Sequence, residues 1–204
     1  PRVALDASGN PHVAWCVHDG STYHVYYSNH SSSGWTAPIN LSTGLSDNHF
    51  SQIALDSNGS PHVVWYGRDA GSLWQIYYSA NTGNGWTTPL NLSSEIDGGH
   101  SPQLALDENC NPHVVWVGND AGAAMRIYYT KNTGSGWSSP GMISTNSTHN
   151  EYPRIALDEA GNPHVTWDGY NSISVRHIWH FAYVVCLLRR VYFESQTKLA
   201  GTEY

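Results

Sequence analysis

The sequence predicts an all-β fold made of repeated four-stranded antiparallel units, the arrangement of β-propeller blades. The pattern Leu-Asp-x-x-Gly/Cys-Asn/Ser-Pro-His-Val-x-Trp occurs four times in the 204 residues. Its aspartates are 50, 51 and 51 residues apart, and a period of this length is typical of propellers and solenoids. Each full period contains four short runs rich in β-branched and aromatic residues, and clusters of Gly, Asn, Ser and Pro separate those runs.

The four predicted strands of a unit are easiest to follow in the second copy of the repeat. They are Gln52–Leu55, His62–Trp65, Gln75–Ser79 and Trp86–Leu92. The turn between the first two favours a tight reversal, because Asp accepts backbone N–H groups, Gly adopts positive φ without strain and Pro fixes φ. Cys110 replaces the glycine of this turn in the third copy, so we expect that turn to be mildly strained or differently shaped.

A four-stranded unit of this length matches a propeller blade. A parallel β-helix has much shorter rungs, and the strands of an immunoglobulin-like sandwich do not repeat in sequence. We therefore predict three complete blades plus part of a fourth, which do not close a ring alone, and we expect missing blades or self-association to complete it. The predicted units are 1–50, 51–101, 102–152 and the partial repeat 153–180, followed by a non-repeat tail, 181–204.

The tail has two interpretations. The repeat register holds through Trp179 and His180, but no Gly-Trp-x-x-Pro strand follows. The tail is then either the product of a frameshift, never selected to pack, or a cap over the last blade. Its apolar stretch is interrupted by Arg189 and Arg190 and is shorter than the roughly 20 residues that a membrane span needs.

The residues that recur in every copy include an aspartate, a histidine and a tryptophan, and a structural role explains such recurrence more simply than chemistry does. The histidines are expected to be hydrogen-bonded within each blade, because one per blade is too dispersed to share a metal ion. The repeated residues are Asp6, Asp56, Asp107 and Asp158; His12, His62, His113 and His164; and Trp15, Trp65, Trp116 and Trp167.

These repeats resemble those of the Asp-box, or BNR-type, propellers, a group that includes the sialidases and bacterial secreted repeat proteins. The resemblance covers roughly residues 1–179, but the Asp and Gly of the turn are three positions apart here and two apart in the Asp-box. It implies an extracellular, cell-surface or periplasmic location and makes a sialidase-like glycoside hydrolase one candidate function.

Composition narrows the remaining function classes. The net charge is −7, with 9 Lys plus Arg against 16 Asp plus Glu, so no basic stripe favours nucleic acid as a partner. The three cysteines fall at unrelated positions of the repeat, and neither a disulfide framework nor a zinc spacing is visible. We expect no metal site and no cofactor.

Candidate ligand-binding residues follow from the alternation of strand direction. Loops after the second and fourth strands of every blade lie on one rim, and there carboxylates, imidazoles and an arginine meet near the channel mouth. Trp74 adds an aromatic ring suited to stacking on a sugar. The candidates are Asp19, His49, Arg68, Asp69, Trp74, His100, Asp120 and His149.

Three functional hypotheses remain open at this point. A binding module for a glycan or a cell-surface protein needs only a rigid ring with suitable loops. A glycoside hydrolase usually needs two spaced carboxylates, or in sialidases a tyrosine with an arginine cluster, and no arginine triad can be assembled from the repeat pattern. A structural or adhesive scaffold explains the repeats without any site. We expect a non-catalytic binding or scaffold module, with carbohydrate as the candidate ligand.

Overall fold

In the residues that the computed structural model describes, every regular element is a β-strand. The model describes residues 1–145, 149–170, 176–182 and 191–194, and in those residues the strands form antiparallel sheets that do not close into a ring. The first sheet contains β1 (Arg2–Leu5), β2 (Pro11–His18), β3 (Tyr23–Ser31), β4 (Gly34–Trp35) and β5 (Ile39–Asn40). The second contains β6 (Ser46–Leu55), β7 (Pro61–Arg68), β8 (Trp74–Ala80) and β9 (Leu90–Asn91).

The third and fourth sheets repeat the same order. The third contains β10 (His100–Leu106), β11 (Pro112–Asn119), β12 (Met125–Lys131) and β13 (Gly141–Met142). The fourth contains β14 (His149–Leu157), β15 (Pro163–Tyr170), β16 (Arg176–Ala182) and β17 (Val191–Glu194). Successive strands are neighbours in every sheet, except that β5 of the first sheet pairs with β3. The predicted all-β, blade-like fold is therefore confirmed.

The last strand of the second unit is shorter than the sequence predicts. In the second sheet only Leu90 and Asn91 pair with β8, and Trp86 makes an isolated bridge to Asn81. Pro89 lies between these two contacts, and a proline has no N–H to donate to a ladder. The run Trp86–Leu92 is therefore a broken edge segment.

The fourth sheet includes a strand that the repeat pattern does not predict. Val191–Glu194 pairs antiparallel with β16, so part of the 181–204 segment belongs to this sheet. A run of β-branched and aromatic residues is suited to an edge strand, although it lacks the Gly-Trp-x-x-Pro pattern. Residues 183–190, which include Cys186, and 195–204 lie outside the described residues.

The turn that carries Cys110 has the same hydrogen bonding as its equivalents. The N–H of Cys110 donates to the carbonyl of Asp107 at 2.9 Å, as Gly9 does to Asp6. Cys110 has φ of 65°, and Gly59 at the equivalent position has φ of 77°. The turn therefore keeps its shape and places an L-residue in the left-handed region.

Adjacent sheets pack face to face, and the apolar core lies between them. The leading face of the second sheet, Val63, Trp65 and Tyr77, packs on the first sheet. Its trailing face, Val64, Ile76, Tyr78 and Leu92, packs on Val114, Trp116 and Tyr128 of the third sheet. The third sheet repeats this contact against Val165 and Trp167 of the fourth. Both faces of the two interior sheets are consequently covered, and Trp65 and Trp116 are completely buried.

Candidate functional site

The repeated turns and histidines form the same hydrogen-bonded unit in successive sheets. Asp107 Oδ1 accepts the N–H groups of Asn109 and Asn111, and its Oδ2 lies 3.6 Å from His113 Nε2. His113 Nδ1 lies 2.8 Å from the hydroxyl of Tyr129. Each repeated aspartate thus closes its own turn, and in the last three copies a carboxylate oxygen lies 3.9, 3.6 and 3.6 Å from the Nε2 of the following histidine. The equivalent histidine–partner pairs are His12–Tyr27, His62–Tyr78 and His164–His180.

The equivalent tryptophans differ in their hydrogen bonding. The indole Nε1 of Trp65 donates to Asn48 Oδ1 at 3.0 Å, and Trp167 donates to Asn150 at 2.8 Å. In the third sheet Gly99 stands where the others have asparagine, and Trp116 Nε1 has no hydrogen-bond partner among the described residues. The asparagines also tie neighbouring sheets together, since Asn48 Nδ2 donates to the carbonyl of Tyr23.

A cleft of about 590 Å³ opens on the rim where the second, third and fourth sheets meet. It lies at the ends of the second strands and the starts of the first and third strands, which is the rim that holds the sequence-based candidates. Aromatic side chains and short polar groups share its wall. The lining residues are Phe50, Tyr66, Trp74, Gly98, His100, Ser101, Asn119, Met125, Glu151 and Tyr152.

Backbone bulges bring three of these residues into the cleft. The register of the first strand shifts between His49 and Gln52, between His100 and Gln103, and between Glu151 and Arg154. Inside the shifts, Phe50, Ser101 and Tyr152 have φ of 50°, 53° and 53°. Left-handed backbone is unfavourable for these residue types and is often found at functional sites. The bulges turn the two aromatic side chains outward, where Phe50 is 62% and Tyr152 56% exposed.

One wall of the cleft is a continuous aromatic surface. The rings of Phe50 and Tyr66 are stacked with centroids 5.7 Å apart, and Tyr66 meets Trp74 edge-on at 5.2 Å. The guanidinium carbon of Arg68 lies 4.5 Å from the centroid of the Trp74 ring, within cation–π range. Arg68 Nε also lies 3.4 Å from Asp47 Oδ2. The indole ring is thereby held in place by neighbours on its own sheet.

Imidazoles and one carboxylate form the opposite side. His149 Nε2 lies 3.3 Å from Glu151 Oε1, and His100 Nδ1 lies 3.1 Å from the hydroxyl of Ser101. Burial lowers the pKa of His100 below its ordinary value, although the nearby Glu151 carboxylate opposes that shift. Burial also lowers the pKa of His49, which contacts the Tyr66 and Trp74 rings.

The candidate aspartates have partners within their own loops. Asp120 Oδ1 accepts the N–H groups of Gly122 and Ala124, while its Oδ2 accepts a hydrogen bond from Arg126 Nε at 2.7 Å. Asp69 Oδ1 accepts the N–H of Leu73. Asp19 closes the corresponding loop of the first sheet, where the N–H groups of Thr22 and Ser21 hold its pKa well below the ordinary value.

Trp74 and His100 are the sequence-based candidates that line the cleft. His49 and Arg68 support its aromatic wall, and His149 contacts its carboxylate. Asp19, Asp69 and Asp120 are loop residues outside the lining. Sequence reasoning did not select Phe50, Tyr66, Ser101, Asn119, Glu151 or Tyr152, although Phe50, Ser101 and Tyr152 share one position of the 51-residue register.

In the part of the chain that the structure describes, no group of three or more His, Cys, Asp or Glu side chains is arranged to hold a metal ion. The same residues contain no helix long and apolar enough to cross a membrane. Cys16 and Cys110 are free thiols.

Comparison with known proteins gives structural similarity without sequence similarity. No protein-family model and no curated protein sequence matches the chain. Among solved structures it is similar to a Hadza microbial sialidase, with TM-score 0.61, 11% identity, and coverage of 96% of this chain and 46% of the sialidase. It is also similar to a polysaccharide lyase, an ulvan lyase solved with a bound oligosaccharide. That comparison gives a TM-score of 0.60 and 14% identity, with 90% of this chain and 55% of the lyase covered.

A lectin has the same type of fold. The Aleuria aurantia lectin, in complex with Fucα1-6GlcNAc, gives TM-score 0.55 and 13% identity, with 90% of this chain and 57% of the lectin covered. The chain therefore spans roughly half the length of these structures, which are 46%, 55% and 57% covered. Identities this low establish the fold alone, so the chain is an array of propeller-like blades of the kind found in sialidases, polysaccharide lyases and lectins.

Proposed function

We propose that this chain is a non-catalytic carbohydrate-binding module whose ligand occupies the cleft between the second, third and fourth sheets. The observation that carries the proposal is the aromatic wall of Phe50, Tyr66 and Trp74 facing short polar side chains. Apolar C–H faces of a sugar stack on aromatic rings, while its hydroxyl groups need nearby donors and acceptors. Ser101 and Asn119 supply such groups at the same cleft.

Strain at the bulges supports a binding role for this surface. Three L-residues in left-handed backbone cost stability, and exposure of Phe50 and Tyr152 gives no compensating burial. A ligand that covers both rings would recover that apolar contact. The similarity to lectin and glycan-active folds is consistent with a carbohydrate as the ligand.

A sialidase-like hydrolase is the alternative. Among the described lining residues, Glu151 is the one carboxylate and arginine is absent, whereas glycoside hydrolysis usually uses two carboxylates or, in sialidases, a tyrosine nucleophile with its partners. This set favours binding over turnover. We further propose that the module acts outside the cell or on its surface, and that its Asp-led turns are a variant of the Asp-box.

The test is glycan binding by the full chain and by Trp74→Ala. Screening on an immobilised glycan panel, followed by calorimetric titration, should find a sugar that binds. Loss of the stacking ring should then weaken binding about tenfold or more, as expected for a central aromatic contact. Trp35→Ala is the matched control, because Trp35 is 57% exposed and lies outside the cleft.

Two outcomes would contradict this function. Equal sugar affinity of the wild type and Trp74→Ala would show that the sugar does not bind in the cleft. Hydrolysis of a reporter glycoside that Glu151→Gln abolishes would replace binding with catalysis.

A further inference from the structure

The described lining residues of the cleft include one carboxylate, Glu151. Glu151 lines it and keeps about a third of its side chain exposed, with 34% accessible. Its Oε1 lies 3.3 Å from His149 Nε2, which restricts the orientation of the carboxylate. An ionised carboxylate accepts hydrogen bonds only, so its natural ligand partners are hydroxyl groups that donate.

Three arginines around the cleft are already paired with carboxylates. Arg176, which interacts electrostatically with Tyr152, is paired with Asp168. Arg68 stacks on Trp74 with its guanidinium carbon 4.5 Å from the ring centroid, and its Nε lies 3.4 Å from Asp47. Arg126 is similarly held by Asp120 at 2.7 Å. A ligand carboxylate would have to displace one of these pairs before it gained a cation.

Two other polar residues of the cleft lining are neutral. Asn119 and Ser101 supply an amide and a hydroxyl. Burial lowers the pKa of His100, which favours its uncharged ring near neutral pH. Glu151 is the one carboxylate among the described lining residues, and an anion close to it is repelled.

We infer that the ligand of this cleft is a neutral sugar, a hexose or deoxyhexose, whose adjacent hydroxyl groups donate hydrogen bonds to Glu151 while its apolar face stacks on Trp74. The inference rests on the proposed carbohydrate-binding function and specifies its ligand class. Acidic sugars, which carry a carboxylate, are selected against at the same position. Hydrogen bonds to an ionised acceptor are stronger than neutral ones, so Glu151 supplies affinity as well as selectivity.

The experiment compares methyl glycosides of neutral hexoses and a deoxyhexose with glucuronic acid and N-acetylneuraminic acid, titrated against the full chain near neutral pH and at low salt. We expect the best neutral sugar to bind about tenfold or more tightly than either acid. In Glu151→Gln we expect affinity for that neutral sugar to fall about tenfold. The acidic sugars should bind this variant no more weakly than they bind the wild type. The ratio of neutral-sugar to acidic-sugar affinity should therefore be smaller in Glu151→Gln.

Glu108→Gln is the matched control for this variant. It removes the same charge from an exposed side chain in the turn between β10 and β11, outside the cleft lining. Its affinities and their ratio should equal those of the wild type.

The outcomes separate the two proposals. Tighter binding of an acidic sugar, abolished by Trp74→Ala, would overturn the neutral class and leave carbohydrate binding at the cleft intact. An unchanged ratio in Glu151→Gln would also overturn the role of Glu151. Failure of all these sugars, neutral and acidic, to bind would overturn the carbohydrate function and the ligand class together.

Discussion

At the scale of single residues, Trp65 and Trp116 provide a natural comparison of one hydrogen bond. Both indoles are completely buried at the same position of adjacent sheets. Trp65 donates to Asn48, whereas Trp116 Nε1 has no partner among the described residues because Gly99 replaces the asparagine. A buried donor that lacks a partner contributes no hydrogen bond to stability.

Replacing each of these tryptophans by phenylalanine should therefore lower the free energy of unfolding by different amounts. Trp65→Phe removes a donor and leaves the buried Asn48 Oδ1 without it, while Trp116→Phe removes an N–H that had no partner. We expect Trp65→Phe to lower the free energy of unfolding by about 1 kcal/mol more than Trp116→Phe. Chemical denaturation followed by circular dichroism measures the difference, and equal costs would show that the Asn48 hydrogen bond contributes nothing.

At the scale of elements, the turn that begins at each repeated aspartate allows two substitutions with opposite expected effects on stability. Cys110 has φ of 65° where Gly59 has 77°. Cys110→Gly should raise the free energy of unfolding by about 0.5–1 kcal/mol because the strain of an L-residue in this region is removed. The gain is reduced if the contact between Cys110 Sγ and Ser57 Oγ, at 3.2 Å, is stabilising.

The reverse change completes that test. Gly59→Ala has room for its methyl group, since the nearest atom outside the adjoining residues, Asp6 Cβ, is 3.9 Å away, and it should lose about 1 kcal/mol from backbone strain alone. Thermal denaturation of the two variants beside the wild type measures both signs. Destabilisation by Cys110→Gly would show that the cysteine side chain matters more than its backbone conformation.

The elements that sequence reasoning located are those with a periodic signal. The 50- and 51-residue spacing predicted repeated sheets, and Pro-His-Val-x-Trp located the second strand in each of them. The bulges were not predictable, because Phe50, Ser101 and Tyr152 share a position but no chemical property. The strand Val191–Glu194 was also missed, since it lacks the pattern of its equivalents.

The candidate site was predictable in position but not in composition. Alternating strand direction indicated the rim on which the cleft lies, and it selected two of the lining residues, Trp74 and His100. Aspartates such as Asp69 were attractive in the sequence because carboxylates often bind ligands, yet an aspartate that begins a short loop also satisfies backbone N–H groups. Only the folded loop shows that Asp69 accepts from Leu73.

At the scale of the whole molecule, buried histidines make stability depend on pH. His12, His62 and His113 each have a pKa lowered by burial, with the nearby aspartate opposing the shift. In the unfolded chain a histidine titrates near pH 6.5, so between that value and the lower folded pKa the unfolded state binds more protons. Stability is therefore lost as pH falls below about 6.5.

We expect the melting temperature to fall between about pH 7.5 and about pH 5.5. His113→Gln should be less stable than the wild type at the higher pH, because the contact with Tyr129 is altered, but its melting temperature should fall less over the same interval. Differential scanning fluorimetry across the range measures both curves. Parallel curves would show that His113 does not contribute to the acid sensitivity.

The packing of successive sheets also has a consequence for how such a chain lengthens. Each interior sheet offers a leading face to the sheet before it and a different trailing face to the sheet after it. On the first sheet Trp15 and Tyr26 stack at 6.0 Å, the same spacing as Trp65 and Tyr77. A gene segment that encodes one unit thus encodes both of the complementary faces, leading and trailing, through which neighbouring sheets pack. In-frame duplication of that segment would add a sheet whose two neighbours already fit it, so the array can grow without evolving a new interface.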